Sequence, residues 1–137
     1  MTSRSDSSGV LIDTCVWIDF LRGRETRQTQ ILEILLENGD AYCCDVILVE
    51  LCFGAKDRAQ FRQYQKNFSE MPFLTLPKNW TTETASMGLA LRKSGHRPFL
   101  ADLMIAQTAI FHKTHFLTCD RDFQPFKKLF DLKILGL

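Results

Sequence analysis

The stretch Gly9-Val10-Leu11-Ile12-Asp13-Thr14-Cys15-Val16-Trp17-Ile18-Asp19-Phe20-Leu21-Arg22-Gly23 decides how the rest of the chain is read. Its branched apolar residues stop abruptly at a carboxylate. The apolar residues that follow, Val16, Trp17, Phe20 and Leu21, recur at helical spacing until Gly23. The pattern spells a buried strand, a tight turn and a helix. In an open α/β sheet, ligands bind in the crevice beyond the carboxyl ends of the strands, so Asp13 stands where such folds carry out chemistry.

Working outward, residues 25–38 carry Ile31, Leu32, Ile34, Leu35 and Leu36 among polar neighbours and end at Asn38-Gly39, as an amphipathic helix does. Residues 41–44 form a short strand that hands over at Asp45 to an apolar helix reaching Ala55. A polar helix over 57–70 follows, then an extended piece over 73–76 between two prolines. Residues 79–94 read as a helix ending at Gly95, 96–100 as a loop pinned by Pro98, and 101–111 as a nearly all-apolar helix. Strands over 115–118 and 133–135 complete the chain. Alternating β and α units of this kind build one three-layer α/β domain over residues 10–137, with a mainly parallel central sheet flanked by helices. Residues 1–9, polar and Ser-rich, are expected to be a flexible leader.

The 137 residues can bury a core without a disulfide, and 45% apolar with 24% charged residues is ordinary for a globular protein. Seventeen basic against sixteen acidic side chains leave a formal charge of +1. No global field therefore drives the chain onto nucleic acid or an anionic membrane, and any such contact must come from local patches. Five cysteines, an odd number without a C-x-x-C pair, fit reduced thiols used as small core residues. The N-terminus has no signal-peptide core and the apolar runs fall short of a membrane span, so a cytoplasmic protein is expected.

Asp13, Asp45, Asp102 and Asp120 each precede or open a helix, where Asp is a favoured cap and complements the helix dipole. Glu50 resists that explanation. It sits mid-helix among apolar residues, where an unpaired buried charge is costly, so it faces a basic partner or a polar pocket. Asp102, in the first turn of the most apolar helix, has the same character. If Asp13 and Asp120 end neighbouring strands while Glu50 and Asp102 point from flanking helices, four carboxylates meet in one crevice. Like charges that close raise one another's pKa, and a hard divalent cation such as magnesium or manganese is the usual resolution. Thr14 and Thr118 adjoin the strand-end aspartates, where their hydroxyls can orient a carboxylate or water, or serve only strand propensity and turn bonding. Asp19 and Asp45 are left as a surface helix charge and a cap.

Other motifs are weak or missing. His112 and His115 lack a third ligand, and there is no G-x-x-x-x-G-K-[ST], G-x-S-x-G or H-E-x-x-H. Asp13-Thr14-Cys15 lacks the second Asp of the D-x-D pattern of HAD-type phosphatases. The basic groups Arg22/Arg24/Arg27, Lys56/Arg58/Arg62/Lys66 and Arg92/Lys93/His96/Arg97 read as solvated faces, and only those flanking the acid pocket would matter to a phosphate backbone.

Taken together, L-I-D-T-x-V-x-I-D-F-L-R-G around Asp13, E-L-x-x-G-A over 50–55, A-D-L-x-I-A-x-x-A around Asp102 and T-x-D-R-D-F over 118–123 resemble the PIN-domain family, and within it the VapC-type toxins of type II toxin–antitoxin pairs. The resemblance implies a PIN-like fold, a magnesium- or manganese-dependent endoribonuclease that hydrolyses RNA phosphodiester bonds, a homodimer, and a cognate antitoxin that covers the acid pocket. Carried over by position, it implies Asp13, Glu50, Asp102 and Asp120 as the catalytic acids. Asp13, Asp102, Asp120 and the accessory Asp122 would be the metal ligands. Cys15 occupies a place where Ser or Asn is expected, and the leader exceeds the family's very short one. Residues that bind substrate are not identified. Two rival readings remain: a TOPRIM-like nuclease, which requires Glu50 at a strand end, and a non-catalytic interaction module whose acids cap helices and receive a basic partner.

Overall fold

The computed structural model describes residues 9–136, so most of the expected leader, residues 1–8, lies outside the described residues. Five parallel strands, β1 (Val10–Ile12), β2 (Ala41–Cys44), β3 (Phe73–Leu74), β4 (His115–Leu117) and β5 (Ile134–Leu135), form one sheet in the order β3-β2-β1-β4-β5. The chain lays strands outward from β1 on one side, then crosses back to add β4 and β5 on the other. The direction of winding therefore reverses at the β1–β4 seam, which opens a crevice at the carboxyl ends of those two strands.

Helices α1 (Thr14–Leu21), α2 (Arg27–Asn38), α3 (Asp45–Phe53), α4 (Arg58–Ser69), α5 (Trp80–Lys93), α6 (Leu100–His112) and α7 (Gln124–Leu129) flank the sheet as the outer layers of the three-layer α/β domain. α1 packs on α2 and α3, α3 on α4 and α6, and α5 on α6 and α7. β1 and β2 are buried throughout, which is why their sequences read as uninterrupted apolar runs. Gly9 is buried against β2: a Cβ there would lie 2.3 Å from the Tyr42 ring. No helix among the described residues is long and apolar enough to cross a membrane.

Element ends differ from the expectation where local chemistry overrides periodicity. α2 starts at Arg27 because Thr26 caps it: the Thr26 hydroxyl accepts from the Thr29 N–H (3.0 Å), and the Thr26 N–H donates to the Thr29 hydroxyl (2.8 Å). Gly39, at φ 72°, terminates it in the left-handed conformation. Asp45 is no cap. Cys44 occupies that place without a side-chain bond, and Asp45 lies in the first turn, where its charge still complements the dipole. Asp19, on α1, has Arg24 3.3 Å from its carboxylate. The segment between the last two strands, for which the sequence reading names no element, contains a 3-10 turn (Arg121–Phe123) that runs directly into α7. Phe116, Phe123 and Phe126 bury their rings together there, with centroids 4.7 and 5.4 Å apart.

Candidate active site

Asp13 follows the last residue of β1 and is 5% exposed. Its backbone N–H donates to the Leu117 carbonyl at 2.9 Å, which ties the ends of β1 and β4 together. The carboxylate is fixed from both sides. Oδ1 accepts the Thr14 N–H (2.8 Å), and Oδ2 accepts the Thr118 hydroxyl (2.7 Å) and, more weakly, the Cys15 thiol (3.5 Å). Burial nevertheless dominates, and it pushes the Asp13 carboxyl up from 3.8 to about 6, with the Glu50 charge adding to the rise and these bonds opposing it.

Both threonine hydroxyls also reach partners distant in sequence. Thr118, fully buried, reaches across the strand seam to Asp13 and accepts the Asp120 N–H at 3.0 Å. The Thr14 hydroxyl donates to Glu50 Oε1 at 2.6 Å. Glu50 therefore lies inside α3, half-buried and facing the β1 end, rather than at the strand end that a TOPRIM-like nuclease needs. Asp120 caps the 3-10 turn, its Oδ1 accepting the Asp122 N–H at 2.9 Å.

Asp102, in the first turn of α6, completes the group. Its carboxyl is pushed up from 3.8 to about 7, first by burial and then by the charges of Asp13, Asp120, Glu50 and Asp122. The five acids thus share one electrostatic environment around the crevice. Cys15 and Cys119 border it: Cys15 Sγ accepts the Cys119 N–H at 3.3 Å and lies 3.7 Å from the Thr118 hydroxyl. Burial and the Asp13 charge hold the Cys15 thiol far above its usual range, so it stays a neutral donor at this position. His112 and His115 are not a metal pair. His112 ends α6 with Nε2 2.7 Å from the Thr75 carbonyl oxygen, whereas His115 opens β4.

The donor set suits a hard divalent cation: it is carboxylate oxygen throughout, and the neighbouring acids raise the affinity of Asp13 and Asp102 for protons. Among the described residues the ion pair is Arg24–Asp19, so no Lys or Arg there neutralises the crevice acids. Neither do any three Asp, Glu, His or Cys side chains among them close into a group able to hold an ion alone. The fit is one of donor chemistry, with water and phosphate oxygens left to complete the shell, as magnesium usually requires.

Beside Asp102 and Asp122 the surface opens into a hollow of about 230 Å³ whose lining includes His96, Arg97, Phe99 and Arg121. Sequence reading treats Arg97 and His96 as part of a solvated basic face and does not single out Phe99 or Arg121. Only the packing of the loop after α5 against the turn after β4 brings them to the acids.

The PIN domain family model matches residues 10–129. The chain belongs to the PIN-domain family. Solved structures share the PIN fold along nearly the whole chain. VapBC2 from Rickettsia felis, bound to a DNA fragment from its promoter, superposes with a TM-score of 0.75 at 20% identity, covering 93% of this chain and 98% of that one. VapBC-1 from nontypeable Haemophilus influenzae gives 0.73 at 19% identity, over 93% and 96%. VapBC-5 from Mycobacterium tuberculosis, a member of the VapBC family of toxin–antitoxin systems, gives 0.68 at 23% identity, over 96% and 99%. No curated protein sequence matches the chain.

Proposed function

We propose that this PIN domain is the toxin of a type II toxin–antitoxin pair, a cytoplasmic endoribonuclease that hydrolyses RNA phosphodiester bonds with magnesium or manganese. The observation that carries the reading is Asp13: a nearly buried carboxylate at the switch point of the sheet, fixed by Thr118 and set among Glu50, Asp102, Asp120 and Asp122, with no Lys or Arg among the described residues ion-paired to them. The family's acidic quartet and the VapBC complexes among the structural neighbours support the same conclusion.

Asp13 and Asp102 would hold the cation, with Asp120 and Asp122 beside them. The chemistry such a cation supplies is activation of water and stabilisation of charge on the scissile phosphate and the leaving oxygen. Thr118 keeps Asp13 oriented and its negative charge favoured, while Thr14 holds Glu50 toward the crevice. No side chain serves as a covalent nucleophile. The partner surface is supported by apolar residues left in water beside Glu50: Val49 and Phe53, four apart on α3, are 62% and 83% exposed. We assign that face to a protein partner, the antitoxin or a second copy in a homodimer.

The test is cleavage of a mixed RNA substrate by folded, antitoxin-free protein with magnesium, with manganese and with chelator, beside Asp102→Asn prepared identically. Metal-dependent cutting by the unsubstituted chain alone is the expected result. Equal cutting by a well-folded Asp102→Asn chain would overturn the assignment. Absence of cutting together with absence of metal-induced stabilisation would return the chain to the interaction-module reading.

A further inference from the structure

The hollow beside Asp102 has two chemically distinct sides. Phe99 and Pro98 offer an apolar surface, and His96, Arg97 and Arg121 offer cationic or hydrogen-bonding groups, while Asp102 and Asp122 belong to the same lining. Whatever fills the hollow therefore lies directly against the acids of the crevice. Phe99 contributes little to the core, being 69% exposed. It also stands at the N-cap of α6 without a side-chain cap bond, a place where Ser, Thr, Asn or Asp would stabilise the helix. The fold thus forgoes a cap and leaves an aromatic ring in water beside the crevice. Arg97 and Arg121 are exposed and make no ion pair among the described residues, although acids stand nearby.

We propose that this hollow seats one unpaired nucleotide of the RNA next to the scissile phosphate, with its base stacked on Phe99 and its phosphates met by Arg97 and Arg121. The inference rests on the nuclease reading and adds to it the residues that hold the substrate. Stacking on an aromatic ring accepts any base, and a base still inside a duplex cannot present its face, so the hollow selects for single-stranded RNA rather than for a sequence. At about 230 Å³ the hollow has room for one base.

The experiment uses the full chain and two probes of one sequence: a cleavable oligoribonucleotide with manganese, and a fluorescein-labelled copy in chelator, uncleavable there and read by anisotropy. Phe99→Ala is expected to weaken binding by about tenfold and to raise KM more than it lowers kcat, with Phe99→Trp restoring both. Arg97→Gln and Arg121→Gln should each weaken binding and reduce the slope of log affinity against log salt by about 1. Arg27→Gln on α2 should do neither, and because Phe99 is exposed its variants should melt with the unsubstituted chain. Binding of the uncleavable probe that depends on Phe99, in a chain that cuts nothing, would keep the hollow and remove the nuclease reading. Cleavage and binding indifferent to Phe99 and both arginines would overturn the hollow while leaving the nuclease reading intact, and would free the hollow for a protein partner. Phe99-dependent binding of a duplex as tight as that of the single strand, or no binding of either probe, would also overturn it.

Discussion

Asp13 is caught between burial, which favours its protonated form, and three donors, which favour its charge, and burial prevails. Thr118→Val keeps the volume but removes the shortest of those bonds, so the Asp13 carboxyl should rise beyond about 6. The chain is expected to lose about 1–3 kcal/mol of stability in denaturant melts, and the acid limb of its pH–rate profile should move to higher pH. Asp102→Asn removes a charge that Asp13, Asp120, Glu50 and Asp122 all oppose. It should cut cleavage by more than the roughly 10–100-fold that loss of an outer partner costs a metal site, while metal-free protein at pH 7.5 melts no lower than before. The identity of the acids is legible in the sequence, because a carboxylate inside an apolar run needs a reason. Their bonding is not. That the Thr14 hydroxyl serves Glu50, 36 residues away, and that the Thr118 hydroxyl serves Asp13 as well as its neighbour Asp120 are products of packing.

Among the elements, those with strong periodicity or an abrupt polar stop are readable directly, as β2 and α4 illustrate, whereas α3, apolar nearly all round, is a helix by its length among alternating units. The tail after β4 is not readable, because Gln124–Leu129 is too short to develop a period and its prolyl residue marks a helix start as readily as a break. Three phenylalanines decide it. Phe123 lies between Phe116 of β4 and Phe126 of α7, and its burial anchors the turn that carries Asp120 and Asp122. Phe123→Ala is therefore expected to cost about 3–5 kcal/mol in equilibrium unfolding and to weaken manganese-dependent stabilisation as well. A variant that loses stability but keeps its full response to manganese would detach the turn from the site.

For the molecule as a whole, the raised carboxyls set how stability depends on pH. Well below the ordinary value of 3.8, Asp13 and Asp102 are protonated in folded and unfolded chains alike. As pH rises toward about 6 for Asp13 and about 7 for Asp102, the unfolded chain releases protons that the folded one retains, so stability falls across that window and stays lower above it. Metal-free protein should accordingly melt higher at pH 5 than at pH 7.5. Manganese should stabilise the fold at pH 7.5 by about 2.7 kcal/mol at a hundredfold excess over its Kd, read as a higher melting temperature, and do little at pH 5. A melting curve indifferent to both pH and cation would remove the shared acid crevice. The strand order has one more consequence, which concerns truncated chains. Asp13 and its partner Thr118 are 105 residues apart, joined only when β4 pairs in parallel with β1. Loops that long close late. A chain truncated before β4 holds Asp13, Glu50 and Asp102 but neither Asp120 nor the hydroxyl that orients Asp13, so on the proposed function it is expected to cut no RNA.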